Sequence, residues 1–177
     1  MPTGTLGPCL GTHPHDTLRH VLSLQPTGHA VEFGVAKGHT LRLIAETMPA
    51  TGFDSFQGLP EDWRPGFPAG RFACKPPTIP GAEIIVGLFA DTLPTWNPPG
   101  PLGLIHLDAD LYSSTALVLT HLEPHMDSGT YIVFDEYHGY PGSELHEQLA
   151  WEEYAARTGV TWDTIGHGPE QFALRLR

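Results

Sequence analysis

Basic residues are scarce in this chain: nine Lys and Arg stand against 20 Asp and Glu, a formal net charge of −11 over 177 residues. That balance argues against a nucleic-acid partner, because phosphate backbones are held by a clustered basic footprint. It does not oppose a cationic ligand or a metal ion. Cysteine is nearly absent. Cys9 and Cys74 lie far apart without CxxC spacing, so neither a disulfide framework nor a zinc site is expected, and a reducing, cytoplasmic location fits. Long apolar runs are missing too. None nears the ~18–20 residues of a membrane span, and no membrane partner is expected. The opening MPTGTLGPCLGTHPHD has neither a basic start nor an apolar core, so no secretory signal is expected. The phosphate-binding patterns GxxxxGK[ST] and GxGxxG are both absent.

What is present is enough for one packed core: 40% of residues are hydrophobic, accompanied by 20 Gly and 18 Pro. Residues 1–27 read as an irregular arm followed by a helix from Asp16, the expected N-cap, to about Leu24. Residues 28–177 read as a single domain. Its first strand is Ala30–Phe33, followed by a helix carrying Leu41, Ile44, Ala45 and Met48 at i, i+3, i+4, i+7 spacing. A second strand ends at Gly52–Phe56. Residues 57–81, rich in Pro and Gly with Trp63, Phe67 and Phe72, form a long loop, either a lid or a disordered segment. Further strands are expected at Glu83–Gly87, Leu104–Leu107 and Tyr131–Phe134. Helices should begin near Ser113 and cover about Ser143 to Arg157. Val160–Ile165 and Gln171–Leu176 alternate around a Gly/Pro turn and read as an antiparallel hairpin. The β-α order followed by a hairpin makes an α/β chain with a mostly parallel sheet.

Two strands end abruptly on carboxylates: Ile105-His106-Leu107-Asp108-Ala109-Asp110 and Val133-Phe134-Asp135-Glu136. Buried parallel strands present their carboxyl ends to the ligand crevice of an open sheet. Three carboxylates gathered there repel unless protons or a cation neutralise them, and hard oxygen ligands suit Mg²⁺. The ordinary alternative is solvated loop acids. Ahead of them, Glu32-x-Gly34-x-x-x-Gly38 joins the first strand to a helix, a turn where a backbone can approach a ligand closely. Asp54 lies 22 residues after Glu32, where an acid at the end of the second strand commonly grips ribose hydroxyls.

These residues resemble the macrocin O-methyltransferase family of class I S-adenosylmethionine-dependent methyltransferases. The resemblance rests on Val31-Glu32-Phe33-Gly34-Val35, on GFDSFQGLP at 52–60, on ADTLP at 90–94 and on LDADLYSST at 107–115. It implies a compact Rossmann-like class I methyltransferase sheet and S-adenosylmethionine as cofactor. It implies cofactor contacts at Glu32, Phe33, Gly34, Lys37, Gly38 and Thr40, at Asp54, Ser55 and Phe56, and at Asp91 and Asp108. Asp108, Asp135 and Glu136 match the family's metal-ligand acids, although the usual Asp-Asp-Tyr is here Asp-Glu-Tyr. The acceptor would be a small-molecule hydroxyl on a sugar or another natural product. Asp108 and His138 are the candidate bases. Asp110 either joins the chemistry or caps the Ser113 helix, and Tyr112 and Tyr137 read as packing or acceptor-pocket residues. A homo-oligomer is compatible with the resemblance. Metal-independent transfer, a non-catalytic cofactor-binding accessory protein, and an NAD or nucleotide-sugar enzyme on a similar sheet are the competing readings.

Overall fold

A computed structural model describes residues 5–177; residues 1–4 of the expected arm lie outside the described residues. Five parallel strands, β1 (His29–Phe33), β2 (Ala50–Asp54), β3 (Ala82–Val86), β4 (Leu102–Leu107) and β5 (Tyr131–Phe134), are joined by β6 (Trp162–His167) and β7 (Phe172–Leu176). The sheet order is β3-β2-β1-β4-β5-β7-β6. β7 inserts antiparallel between β5 and β6. This is the mostly parallel, Rossmann-like sheet with a terminal antiparallel hairpin that the sequence pattern implies.

Side chains alternate along each strand and feed two layers. Val31, Phe33, Ile105, Leu107, Ile132 and Phe134 point to one face. There they pack against Val118, Leu119 and Leu122 of α4 (Tyr112–Leu122) and Ala150, Trp151 and Tyr154 of α5 (Glu147–Thr158). Ala30, Leu104, Val133 and Ala173 point the other way. They meet Leu18, Val21 and Leu22 of α1 (Asp16–Ser23) and Leu41 and Ile44 of α2 (His39–Ala45). The N-terminal segment is thus part of the core. Cys9 also bridges to His167 of β6. Both cysteines are free thiols.

Several local expectations shift. His15, not Asp16, precedes the first helix; the Asp16 carboxylate instead accepts the His13 N–H at 2.9 Å. The second helix ends at Ala45, and Met48 is buried just beyond it. The helix expected from Ser143 begins as a separate 3-10 turn, Ser143–Leu145, before α5. No helix joins β2 to β3. Between β3 and β4 lie only α3 (Phe89–Thr92) and a 3-10 turn. The long 57–81 loop packs against the body: Leu59, Trp63, Leu111 and Tyr140 form a third buried cluster. Arg64 lies 4.0 Å from the Trp63 ring centroid and 4.1 Å from that of Tyr140, and it bridges to Glu170 at 3.3 Å.

Candidate active site

β1 and β4 are neighbours, and the chain leaves them in opposite directions across the sheet, to β2 on one side and β5 on the other. That makes their carboxyl edge a topological switch point, where connecting loops diverge and leave a crevice. The gap is closely held. The Gly34 N–H donates to the Phe53 carbonyl and the Asp108 N–H to the Phe33 carbonyl, both at 2.9 Å. Gly34 has φ +95°, and a Cβ there would overlap the Asp108 carbonyl oxygen. The glycine is required by both backbone conformation and proximity.

Above this edge lies a cavity of about 440 Å³. Gly34 and Ala36 come from the glycine turn, Asp54 and Ser55 from the end of β2, and Gly58–Pro60 and Phe72 from the long loop. Gly87–Ala90 supply another wall; Asp108–Asp110, Ser113, Ser114, Leu117 and Glu136 complete it. A second cavity of about 580 Å³ adjoins it and shares Ala36, Phe72 and Asp108.

The expected cofactor residues divide accordingly. Gly34, Asp54, Ser55 and Asp108 line the first cavity. The Asp54 carboxylate accepts the Val35 and Ala36 N–H groups at 2.9 and 2.7 Å and the Phe56 N–H at 2.7 Å. It therefore shapes the glycine turn as well as facing the cavity. Lys37 and Thr40 line the second cavity instead. Gly38 caps α2 in the left-handed conformation. Phe33 is fully buried and stacks on Phe53, and Phe56 is buried beside Val35 and Ile79. Neither ring lines a cavity. Asp91 is exposed on α3, and its neighbours Gly87 to Ala90 occupy the wall in its place. Those four residues, Gly, Leu, Phe and Ala, carry no polar side chain, so nothing in the sequence marks them as a cavity wall.

Glu32 is also withdrawn. It is fully buried one strand from His106, its cross-strand neighbour, whose Nδ1 lies 3.0 Å from Glu32 Oε2. His106 Nε2 lies 3.8 Å from Asp135 Oδ1. Burial opposes a charge on the imidazole, but the two flanking carboxylates outweigh it and raise the His106 pKa well above its usual value. The sequence signal for this pair was a histidine inside an otherwise apolar buried strand.

Asp108, Asp135 and Glu136 do converge: each offers an oxygen within 4.8 Å of the others. Burial, then the neighbouring Asp135 charge, pushes the carboxyls of Asp108 and Glu136 well above the usual range. Asp110 does not cap α4, whose first flanking residue is Leu111; it sits at φ +61° in the cavity wall, raised to about 7 by burial and then by Asp135. Sequence reasoning missed Glu147 entirely. From the first turn of α5 it reaches under this cluster, fully buried, and accepts the Glu136 N–H at 3.1 Å and the Ala109 N–H at 3.4 Å. Burial raises it to about 8. The buried Glu136 Oε2 has no hydrogen-bond partner. An orphaned carboxylate oxygen among acids is chemically suited to a hard divalent cation.

His138 departs from expectation. Its Nε2 donates to the Gln171 carbonyl at 3.2 Å, its ring packs on His167, and it lines neither cavity. The β5–β7 pairing draws the chain after Glu136 toward the hairpin turn and carries His138 away from the crevice. Tyr137 is a core residue between Phe134 and Phe172, and Tyr112 points outward to Glu153.

The fold is that of the class I methyltransferases. The solved calicheamicin methyltransferase CalS11 superposes with a TM-score of 0.70 at 22% identity, over 92% of this chain and 76% of that one. The O-methyltransferase TomG of Streptomyces achromogenes, solved with S-adenosylmethionine, gives 0.59 at 22% identity over 94% and 81%. The family described as Macrocin-O-methyltransferase (TylF) matches residues 81–166. Demethyldecarbamoylnovobiocin O-methyltransferase of Streptomyces niveus is 29% identical over 78% of this chain. The chain spans 62% of that relative's length. Among the described residues no helix is long and apolar enough to cross a membrane.

Proposed function

We propose that this chain is an S-adenosylmethionine-dependent O-methyltransferase acting on a hydroxyl of a sugar or other small natural product. One observation carries the reading: two cavities meet at Asp108, at the switch point of a class I methyltransferase sheet. In the first, Ser55 and Asp54 would face the ribose and Gly87–Ala90 would wall the adenine. Asp108, Asp110 and Glu136 line the cavity beyond the ribose. The acceptor in the name of the Streptomyces niveus relative, demethyldecarbamoylnovobiocin, supports the natural-product class.

Methyl transfer needs the acceptor oxygen in line with the sulfur–carbon bond and a group to take its proton. Asp108 is the candidate base at the junction. Burial raises its pKa above that of an ordinary aspartate. His106 and Glu147 hold the acids around it in place from below. Asp108, Asp135 and Glu136 are the residues that would hold Mg²⁺. When bound, such an ion would lower the pKa of the acceptor hydroxyl.

Calorimetric titration with S-adenosylhomocysteine, in Mg²⁺ and again in EDTA, tests the reading, followed by transfer of labelled methyl to a hydroxylated acceptor panel. Micromolar binding and transfer to an oxygen are expected. Binding of NAD in place of S-adenosylhomocysteine would overturn it.

A further inference from the structure

The long loop has a compact structure of its own. Its ends meet where the Leu59 N–H donates to the Arg71 carbonyl at 2.9 Å and the Gly70 N–H to the Leu59 carbonyl at 2.8 Å. Within it, the Trp63 N–H reaches the Phe67 carbonyl at 3.0 Å, and the Ala69 N–H reaches the Asp62 carboxylate at 2.8 Å. Residues 59–71 are thus an Ω-loop, a unit packed by its own side chains. Three contacts seat it on the body. The Ser113 hydroxyl donates to the Glu61 carboxylate at 2.5 Å, Arg64 pairs with Glu170, and Trp63 and Arg64 pack on the Tyr140 ring. The other end of Tyr140 belongs to the acids: its hydroxyl donates to the Glu136 carbonyl at 3.1 Å. Two more buried side chains hold the same stretch of backbone. Gln171 Nε2 donates to the Asp135 carbonyl at 2.9 Å, and Glu147 accepts the Glu136 N–H. Tyr140 differs from those two: its ring is at the same time the seat of the loop, buried with Leu59 and Trp63.

We infer that Tyr140 is a positioning residue that couples the seating of the long loop to the placement of Asp135 and Glu136, so that a divalent cation at the acids and a seated loop favour each other. The role given to the acids rests on the methyltransferase reading. The physical basis is shared burial. With the loop seated, Trp63 and Arg64 cover the Tyr140 ring, and its hydroxyl is aimed at the Glu136 carbonyl. With the loop lifted, the ring would stand in water and lose the packing that aims the hydroxyl. Whatever fixes the Glu136 turn therefore stabilises the seated loop. By reciprocity, a seated loop favours the arrangement that gathers Asp108, Asp135 and Glu136. The same loop supplies Gly58–Pro60 and Phe72 to the first cavity and Arg71–Cys74 to the second. Cavity walls and acids would then assemble together, completing the site as it is shielded from water.

The test is amide hydrogen exchange over residues 59–71 together with calorimetric Mg²⁺ titration, both on protein saturated with S-adenosylhomocysteine. In the parent, Mg²⁺ should slow exchange across the loop about fivefold or more. Tyr140→Phe keeps the ring under Trp63 and Arg64 and removes the hydroxyl. Its loop exchange without metal should stay within about twofold of the parent, while Mg²⁺ binds about fivefold or more weakly and no longer slows exchange. Arg64→Gln probes the loop end, since Arg64 pairs with Glu170 and not with the cluster. The Arg64 charge is felt at Asp110, so on charge alone its removal would tighten Mg²⁺ binding. Coupling requires the opposite: weaker Mg²⁺ binding and faster loop exchange, with Arg64→Lys restoring part of both. The double variant should bind Mg²⁺ no more weakly than Tyr140→Phe alone, because both act through one contact. Loop exchange in the parent indifferent to Mg²⁺, or Mg²⁺ affinity undiminished in either single variant, would overturn the inference while leaving the methyltransferase reading intact. Failure to bind S-adenosylhomocysteine at all would instead remove the reading beneath it.

Discussion

Asp108 is the residue on which both cavities depend, and its neighbours decide what it can do. Asp108→Asn keeps the shape and removes the proposed proton acceptor. Methyl transfer should fall by roughly 10²–10⁴-fold, with S-adenosylhomocysteine affinity within about threefold of the parent by calorimetry. His138 gives the opposite expectation. Because its ring nitrogen is committed to the Gln171 carbonyl outside both cavities, His138→Gln should leave the turnover rate within about twofold in a steady-state assay; a hundredfold loss would return it to the chemistry. In sequence these two residues were equally plausible bases. That Asp108 faces the crevice was legible because it stands at the abrupt apolar-to-acid end of a buried parallel strand. His138 was misread because its direction depends on how the hairpin pairs with β5, a long-range contact that no local pattern encodes.

At the scale of elements, the glycine turn and the long loop build the site together. Gly34→Ala would require a left-handed alanine and a clash with the Asp108 carbonyl. We expect a loss on the order of 3 kcal/mol or more, read as a lowered denaturation midpoint. The long loop is held by Trp63, whose indole meets Phe67 and Tyr140 edge to face at 5.1 and 5.6 Å. Trp63→Ala should cost about 2–3 kcal/mol at most, since this cluster is peripheral to the main core. Its larger effect should be on binding: Gly58–Pro60 and Phe72 wall the first cavity and Arg71–Cys74 the second. A variant that bound S-adenosylhomocysteine like the parent would show that the loop does not shape the cofactor cavity. The strands were legible from apolar runs and their sharp ends. The loop's packing was not, because aromatics spaced irregularly among Pro and Gly show no period that betrays their partners.

For the whole molecule, the acidic cluster ties stability to pH. Asp110 and Glu147 are held near 7 and 8 in the folded protein, whereas unfolded carboxyls titrate near 4. Below about pH 4 both states are protonated and these groups make no difference. As pH rises from there toward 8, the unfolded chain loses protons that the folded one retains, so the folded state is progressively disfavoured. In EDTA the melting temperature should therefore fall by several degrees between pH 5.5 and 8.5. Mg²⁺ should reverse most of that fall in the parent and much less in Asp135→Asn. A melting temperature that rose with pH would contradict the protonated cluster.

The sequence by itself determined the order of strands and helices, the glycine turn and the acids at the ends of β4 and β5, because each is written in a local period or an abrupt change from apolar to charged. Only the tertiary structure decided what those groups face. Burying Glu32 against His106, reaching Glu147 beneath the cluster, turning His138 away and gathering Lys37 with Arg71 all join residues far apart in the chain. Such contacts are set by strand order and helix packing, which act through space and leave no spacing in the sequence to read.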